Sequence, residues 1–206
     1  MLISEFIAEL EKLKAEHGDV QVLHKNSTAP AGRIYGDYVK CLNMWYNVIV
    51  QEKGTHMQAI YFDMDGTIAN LYGVTNWLNA LRMESIMPYA AAEPLVNPSD
   101  FVAIIKQLKN KGYTIGIISW SSMNGSKEYN KRVRAAKLAW VKYYFGDIFD
   151  EFHVVKYGTP KHQVANIKDS IIVDDDSRVR GMWKNGEVID ATDTCAMMES
   201  LEKLAA

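Results

Sequence analysis

Residues 59–67, Ala-Ile-Tyr-Phe-Asp-Met-Asp-Gly-Thr, decide the fold, because a short apolar run ends there in two acids and a glycine. The run has the length and the β-branched and aromatic content of a buried strand, and Gly66 allows a sharp turn where the strand ends. The turn begins between Asp63 and Asp65, so their carboxylates can converge on one ion. Two carboxylates at the end of a buried strand are costly unless they hold a cation or a proton in transit.

From residue 57 onward the sequence alternates between strand and helix patterns, which predicts a parallel sheet covered on both faces. After the strand at 59–62 we expect further strands at 114–119, 152–155, 170–174 and 187–190. Helices are expected at 99–110, within 126–145, within 160–168, within 177–184 and at 194–204. The predicted fold class is therefore α/β, with a Rossmann-like three-layer parallel sheet.

Polar side chains follow three of the predicted strands. Asp63 and Asp65 come after the first, Ser119 closes the second, and Asp174 and Asp175 follow the strand at 170–174. Because the carboxyl ends of parallel strands lie on one edge, these side chains are expected to meet there. Four carboxylates in a partly dry site would repel strongly, so a divalent cation is required. Oxygen ligands without histidine or thiolate favour Mg²⁺.

These motifs resemble those of the haloacid dehalogenase-like (HAD) superfamily. Residues 59–67 resemble its first motif, D-x-D-G-T, Ser119 is similar to the serine or threonine of its second, and residues 171–175, Ile-Ile-Val-Asp-Asp, resemble its fourth. A narrower likeness lies at residues 137–146, which resemble the lysine-plus-tryptophan helix of the 5′(3′)-deoxyribonucleotidases, the C-type 5′-nucleotidases. The resemblance covers about residues 57–190 and implies a HAD-like core.

The resemblance implies a mechanism with two unequal acids. Asp63 would attack phosphorus in line to form an aspartyl-phosphate, while Asp65 would protonate the leaving oxygen and later deprotonate the hydrolytic water. The implied metal ligands are Asp63, Asp174, Asp175 and Asp65, the last through its main-chain carbonyl. Metal coordination would keep Asp63 ionised and leave the Asp65 carboxyl free to carry a proton.

The resemblance also implies which residues bind the phosphate group. Gly66 and the amides around it would approach the phosphate closely, Ser119 would donate to a phosphoryl oxygen, and Thr67 and Trp120 are further candidates for this region, with Thr67 expected to cap the following segment. Two lysines remain open. The deoxyribonucleotidase likeness assigns phosphate binding to Lys137, whereas Lys161, after Gly-Thr-Pro, resembles the general superfamily lysine; we slightly prefer Lys137.

The sequence predicts two domains joined by a polar linker at 51–56. Residues 1–53 are expected to form a small α+β module of unknown role, with a helix at 2–16 and strands at 20–23 and within 38–50. Residues 57–206 would form the HAD-like phosphatase domain. Within it, residues 70–97, hereafter the cap segment, are expected to be a small helical cap whose apolar and aromatic side chains either pack on the core or stack on a base.

Composition sets limits on location and partners. The chain has 206 residues, 48% of them apolar, and a net charge of −2, which argues against broad polyanion binding. Residues 1–13 contain no uninterrupted apolar run, so we expect neither a signal peptide nor a membrane span, and a cytoplasmic location. The two cysteines, Cys41 and Cys195, lack metal-ligand spacing and are expected to be reduced and half-buried. The oligomeric state is left open.

The function predicted from the sequence is Mg²⁺-dependent hydrolysis of a phosphomonoester, with a nucleoside monophosphate as the expected substrate. Three alternatives remain open: the same chemistry on a nucleic-acid end, a sugar phosphate or a phosphoprotein; phosphoryl transfer to an acceptor other than water; and a non-catalytic interaction module built on a HAD scaffold.

Overall fold

The computed structural model describes residues 21–23, 49–51 and 58–206. The chain divides into two compact units, Met1–His56 and Met57–Ala206. In the first unit, β1 (Gln21–Leu23) pairs antiparallel with β2 (Ile49–Gln51), with Val22 opposite Val50. The predicted helix at 2–16, Cys41 and most of the strand predicted within 38–50 lie outside the described residues.

The second unit contains five strands and six helices within the described residues. The strands are β3 (Ala59–Phe62), β4 (Thr114–Trp120), β5 (Glu151–Val155), β6 (Ser170–Asp174) and β7 (Val188–Asp190). The helices are α1 (Trp77–Arg82), α2 (Met87–Ala91), α3 (Pro98–Asn110), α4 (Lys127–Phe145), α5 (Ser177–Met182) and α6 (Thr194–Ala205). Short 3₁₀ turns lie at Leu71–Gly73 and Lys161–Gln163.

The five strands form one parallel sheet in the order β5-β4-β3-β6-β7. Along β3, Ile60 and Phe62 pack against α3, α4 and α6 on one face, and Tyr61 packs with Val179 and Trp183 of the α5 region on the other. This alternation follows from the two-residue period of a strand. The prediction of an α/β fold with a three-layer parallel sheet is confirmed, and the strand bounds agree within one residue.

The segment predicted to hold a helix within 160–168 contains only the 3₁₀ turn Lys161–Gln163. The main-chain amides of Asn166 and Ile167 donate to the Tyr61 hydroxyl, at 3.2 and 3.4 Å. Because these amides donate to a side chain of β3, they do not form the main-chain hydrogen bonds of a helix. The helical prediction was therefore wrong beyond the first turn.

The cap segment contains the 3₁₀ turn Leu71–Gly73 and helices α1 and α2, so its predicted helical content is confirmed. Its two ends are joined where the Asn70 amide donates to the Glu93 carbonyl at 2.8 Å. Leu71 and Tyr89 of this segment pack with Tyr129 and Val133 of α4. The segment therefore folds back onto α4, beside the carboxyl edge of the sheet.

Two expectations about the surface can be compared with the structure. Cys195 is a free thiol and is exposed rather than half-buried, because it lies in the first turn of α6. Across the described ranges, every helix is too short or too polar to cross a membrane.

Candidate active site

The predicted acids meet at the carboxyl edge of the sheet because β3 lies between β4 and β6. Asp63 is the first residue after β3, and its amide still donates to the Val173 carbonyl at 2.9 Å. Asp174 is the last residue of the neighbouring strand β6, and Ser119 lies near the end of β4. The register of the parallel sheet thus brings residues more than a hundred positions apart to one edge.

The turn after β3 is tight and requires glycine at position 66. Gly66 has φ +90°, and a Cβ atom there would lie 2.5 Å from Asp175 Oδ2 and 2.7 Å from the Tyr72 ring. The Met64 carbonyl accepts the amides of Ile68 and Ala69 at 3.0 and 2.8 Å, which closes the turn. A side chain at position 66 would therefore push apart the acids that the turn assembles.

Thr67 contacts Asp175 and does not cap the following segment. Its hydroxyl donates to Asp175 Oδ1 at 3.2 Å and accepts the Asp175 amide at 3.1 Å, in a fully buried position. The side-chain cap of the next helical turn is Asn70, which accepts the Gly73 amide. The capping role expected for Thr67 was therefore wrong; its hydroxyl fixes the carboxylate and main chain of Asp175.

Three of the acids form a cluster with the chemistry of a metal site. Carboxylate oxygens of Asp63, Asp174 and Asp175 all lie within 4.8 Å of one another. Burial and the nearby Asp63 charge raise the pKa of Asp174 to about 7 and that of Asp175 to about 6. Oxygen-only ligands under this much mutual repulsion fit a hard divalent cation such as Mg²⁺. The Asp65 side chain lies outside this cluster, so its predicted metal contact rests on its main-chain carbonyl alone.

Lys161 reaches the acid cluster from the turn after β5. Its ammonium donates to Asp63 Oδ1 at 2.5 Å and to Asp174 Oδ2 at 2.7 Å. Burial alone would lower the pKa of Lys161, but the carboxylates of Asp63 and Asp174 outweigh it and the pKa is raised. The two carboxylates therefore favour the charged form of Lys161 beside the candidate nucleophile.

Lys137 also reaches the site, but it binds the other acid of the first motif. Its ammonium donates to Asp65 Oδ2 at 2.5 Å, to Ser119 Oγ at 2.8 Å and to the Trp120 carbonyl at 2.8 Å. Burial raises the pKa of Asp65, although the nearby Lys137 charge opposes that rise. The structure thus brings both candidate lysines to the site and gives each a different aspartate.

A cleft of about 470 Å³ opens above these acids. Asp63, Asp65, Asp174, Asp175 and Lys161 lie on its surface, whereas Ser119, Thr67 and Lys137 are absent from its lining. Its walls carry two pairs of aromatic rings: Tyr72 with Trp77, 5.1 Å apart, and Trp120 with Tyr157, 5.0 Å apart. Trp120 is held by an indole N–H donated to the Thr159 carbonyl at 2.8 Å. The cleft therefore joins a charged floor to aromatic walls.

The cap segment is fastened to the core by contacts that sequence reasoning missed. The amide and hydroxyl of Ser126, which caps α4, donate to the Glu84 carboxylate at 2.6 and 2.8 Å. The Tyr129 hydroxyl donates to the Ser85 carbonyl at 2.8 Å. Glu84 adopts φ +55°, an uncommon conformation for this residue type. A positive φ cannot be read from the sequence, and the partners lie 42 positions apart. No local signal could have paired them.

The raised pKa values predict a Mg²⁺ effect that depends on pH. Between about pH 4 and 7 the folded protein holds protons on Asp174 and Asp175 that the unfolded chain releases, so without metal its stability falls as pH rises through this range. Mg²⁺ bound by these acids would replace those protons. At 100 times its Kd it would add about 2.7 kcal/mol, or about 5–10 °C in Tm. We expect that shift at pH 8 and little shift at pH 5, measured by thermal unfolding; equal shifts at both values would contradict it.

Comparisons with known proteins found one distant structural likeness. No family model matches the chain, and no curated protein matches it. Among solved structures, the D,D-heptose 1,7-bisphosphate phosphatase from Burkholderia thailandensis is similar over 72% of this chain and 99% of its own, with 13% sequence identity and a TM-score of 0.44. A likeness this distant carries no argument for this chain.

Proposed function

We propose that the protein is a HAD-type phosphomonoester hydrolase that uses Mg²⁺ and forms an aspartyl-phosphate on Asp63. The observation that carries this proposal is the cluster of Asp63, Asp174 and Asp175, with Lys161 between two of them, on the floor of a cleft. Buried carboxylates with raised pKa values beside a fixed cation are typical of a catalytic site. The same residues match the HAD motifs in chain order.

The acids of the site and Lys161 have different roles in the proposed reaction. Asp63 attacks phosphorus, and the bond to the leaving oxygen breaks as the aspartyl-phosphate forms. Asp65 gives its proton to that oxygen, then takes a proton from the water that cleaves the aspartyl-phosphate. Lys161 neutralises charge on the phosphoryl oxygens. Bound by Asp63, Asp174 and Asp175, Mg²⁺ would supply further charge stabilisation at the same oxygens.

A nucleoside monophosphate is the substrate that we propose. The cleft is of the size that takes a small organic ligand. Tyr72, Trp77, Trp120 and Tyr157 offer aromatic surface on its walls, and aromatic rings stack on nucleobases with little regard to sequence. The proposal also keeps the cytoplasmic location expected from composition.

A phosphate-release screen tests this proposal. The full chain is incubated with nucleoside monophosphates, sugar phosphates, a 3′-phosphorylated oligonucleotide and a phosphopeptide, each with and without Mg²⁺. We expect Mg²⁺-dependent release, fastest from a nucleoside monophosphate. Faster release from another substrate would replace the nucleotide assignment, and rates that rise with added alcohol acceptors would indicate phosphoryl transfer. No release from any substrate would overturn the proposal and favour a non-catalytic module.

Changing Trp77 to alanine tests the aromatic wall. Trp77 lies on α1 of the cap segment and contacts Tyr72 edge-on. Loss of one stacking surface is worth about 1–3 kcal/mol, so we expect KM for a nucleoside monophosphate to rise about tenfold while kcat changes less. Tyr143→Ala is the matched control, because Tyr143 is an exposed aromatic on α4 outside the cleft lining. Equal KM changes in both variants would exclude Trp77 from base recognition.

A further inference from the structure

Lys137 has no ammonium proton left for a substrate. A lysine ammonium has three donors, and the structure gives these three an acceptor each: Asp65 Oδ2, Ser119 Oγ and the Trp120 carbonyl. The residue is fully buried, and its nitrogen lies 5.0 Å from the centre of the Tyr89 ring. A phosphate oxygen could bind Lys137 only by displacing one of these protein acceptors.

Lys161 is also buried, and its nitrogen lies 5.2 Å from the centre of the Trp120 ring. It differs from Lys137 in its acceptors and in its place on the cleft. Its ammonium has two acceptors among the described residues, Asp63 and Asp174, which leaves one donor unassigned. It also lies on the surface of the cleft, where Lys137 and Ser119 do not. A phosphate entering the cleft would therefore meet Lys161, and the contact of Lys137 with Asp65 would stay intact.

The contact with Lys137 makes the two oxygens of Asp65 unequal. Oδ2 accepts from an ammonium, and in a protonated carboxyl the carbonyl oxygen is a better acceptor than the hydroxyl oxygen, so a proton carried by Asp65 is favoured on Oδ1. No donor among the described residues contacts Oδ1, while Asp65 itself lines the cleft. Because the Lys137 ammonium occupies Oδ2, Oδ1 is the Asp65 oxygen that would contact a substrate.

We propose that Lys137 is a positioning residue for the general acid and base Asp65 and does not bind the phosphate. This inference rests on the proposed function. In the first step the bond between an Asp63 oxygen and phosphorus forms, the bond from phosphorus to the leaving oxygen breaks, and the proton on Asp65 Oδ1 goes to that leaving oxygen. In the second step Oδ1 takes a proton from water, as the water oxygen bonds to phosphorus and the Asp63–phosphorus bond breaks.

Leaving groups of different basicity separate positioning from phosphate binding. The alkoxide of glycerol 2-phosphate needs a proton to depart, whereas 4-nitrophenolate departs without one. For Lys137→Met we expect single-turnover release from glycerol 2-phosphate to fall about 100-fold or more, the usual contribution of a general acid. The loss of single-turnover 4-nitrophenolate release should be at least ten times smaller than the loss with glycerol 2-phosphate. Steady-state turnover of 4-nitrophenyl phosphate should still fall, because attack by water on the phosphoenzyme also needs Asp65. The phosphoenzyme should therefore accumulate, which mass spectrometry detects.

Two further variants keep the test decisive. Lys161→Met should slow the release of both leaving groups by similar factors, because a contact with the phosphoryl oxygens does not depend on the leaving group. Lys137→Gln retains one donor for Asp65 and should give a smaller leaving-group dependence than Lys137→Met; it also serves if Lys137→Met fails to fold in a thermal melt. Similar losses on both substrates in the Lys137 variants would overturn the inference. A wild-type protein inactive on both substrates and on every substrate of the phosphate-release screen would instead overturn the proposed function.

Discussion

Replacing Asp63 with asparagine is expected to lower kcat by about 10⁴-fold or more, the usual loss when a covalent nucleophile is removed. An amide cannot form the bond to phosphorus, so no phosphoenzyme should be detected by mass spectrometry. The fold should survive, because an asparagine carbonyl can still accept from Lys161 and one negative charge leaves a repelling cluster. The measurement is single-turnover phosphate release, with Tm recorded in parallel.

Asp147→Asn is the matched control for this change. Asp147 is highly exposed, and its carboxylate is paired only at 3.3 Å with Lys142 on the surface. The same chemical change there should leave kcat within a factor of about two, because exposed ion pairs contribute little. An Asp63→Asn variant that hydrolyses phosphomonoesters at a rate close to that of the control would exclude Asp63 as the nucleophile.

Replacing Lys161 with methionine is expected to have the second-largest effect, on both stability and activity. The change leaves Asp63 and Asp174 buried without their cation, which typically costs about 3–5 kcal/mol of unfolding free energy. Mg²⁺ should restore part of that loss, because it supplies positive charge to the same carboxylates. Loss of a charge that stabilises phosphoryl oxygens should lower kcat/KM by about 100- to 1,000-fold.

The stability part is measured by chemical unfolding with and without Mg²⁺, and the activity part by phosphate release at saturating Mg²⁺. Lys168→Met is the control, since Lys168 is an exposed lysine a few residues further along. Stability equal to that of the control without Mg²⁺ would show that the acids do not depend on Lys161.

The sequence predicted the sheet and the acids well for a physical reason. Apolar runs of strand length are local, and the residue that ends each run must lie on the carboxyl edge of a parallel sheet. Asp63 and Asp174 could therefore be placed together without knowing any contact. The contacts of α4 could not be predicted in this way. The bounds of a helix do not show which of its buried residues contacts the end of β4.

The two lysines show that limit most clearly. The sequence presented Lys137 and Lys161 as alternatives for one task, with a slight preference for Lys137. In the structure they bind different aspartates, and the count of donors and acceptors on each ammonium favours Lys161 for phosphate. Such a count depends on the positions of the acceptors around each ammonium, which only the tertiary structure gives. The segment after the Lys161 turn was likewise mispredicted as helix, since the Tyr61 hydroxyl accepts the amides of Asn166 and Ile167.

Under the proposed function, the ring of Tyr89 would connect substrate choice with reaction rate. Tyr89 belongs to α2 of the cap segment, yet it lies over the ammonium that contacts Asp65. The cap segment could then not be exchanged as an independent module, because a segment chosen for a new ligand would also replace the Tyr89 ring that contacts Lys137. We expect chimeras that alter position 89 to lose turnover even for ligands that fit them, and chimeras that keep Tyr89 together with the Glu84 and Ser85 contacts to retain turnover.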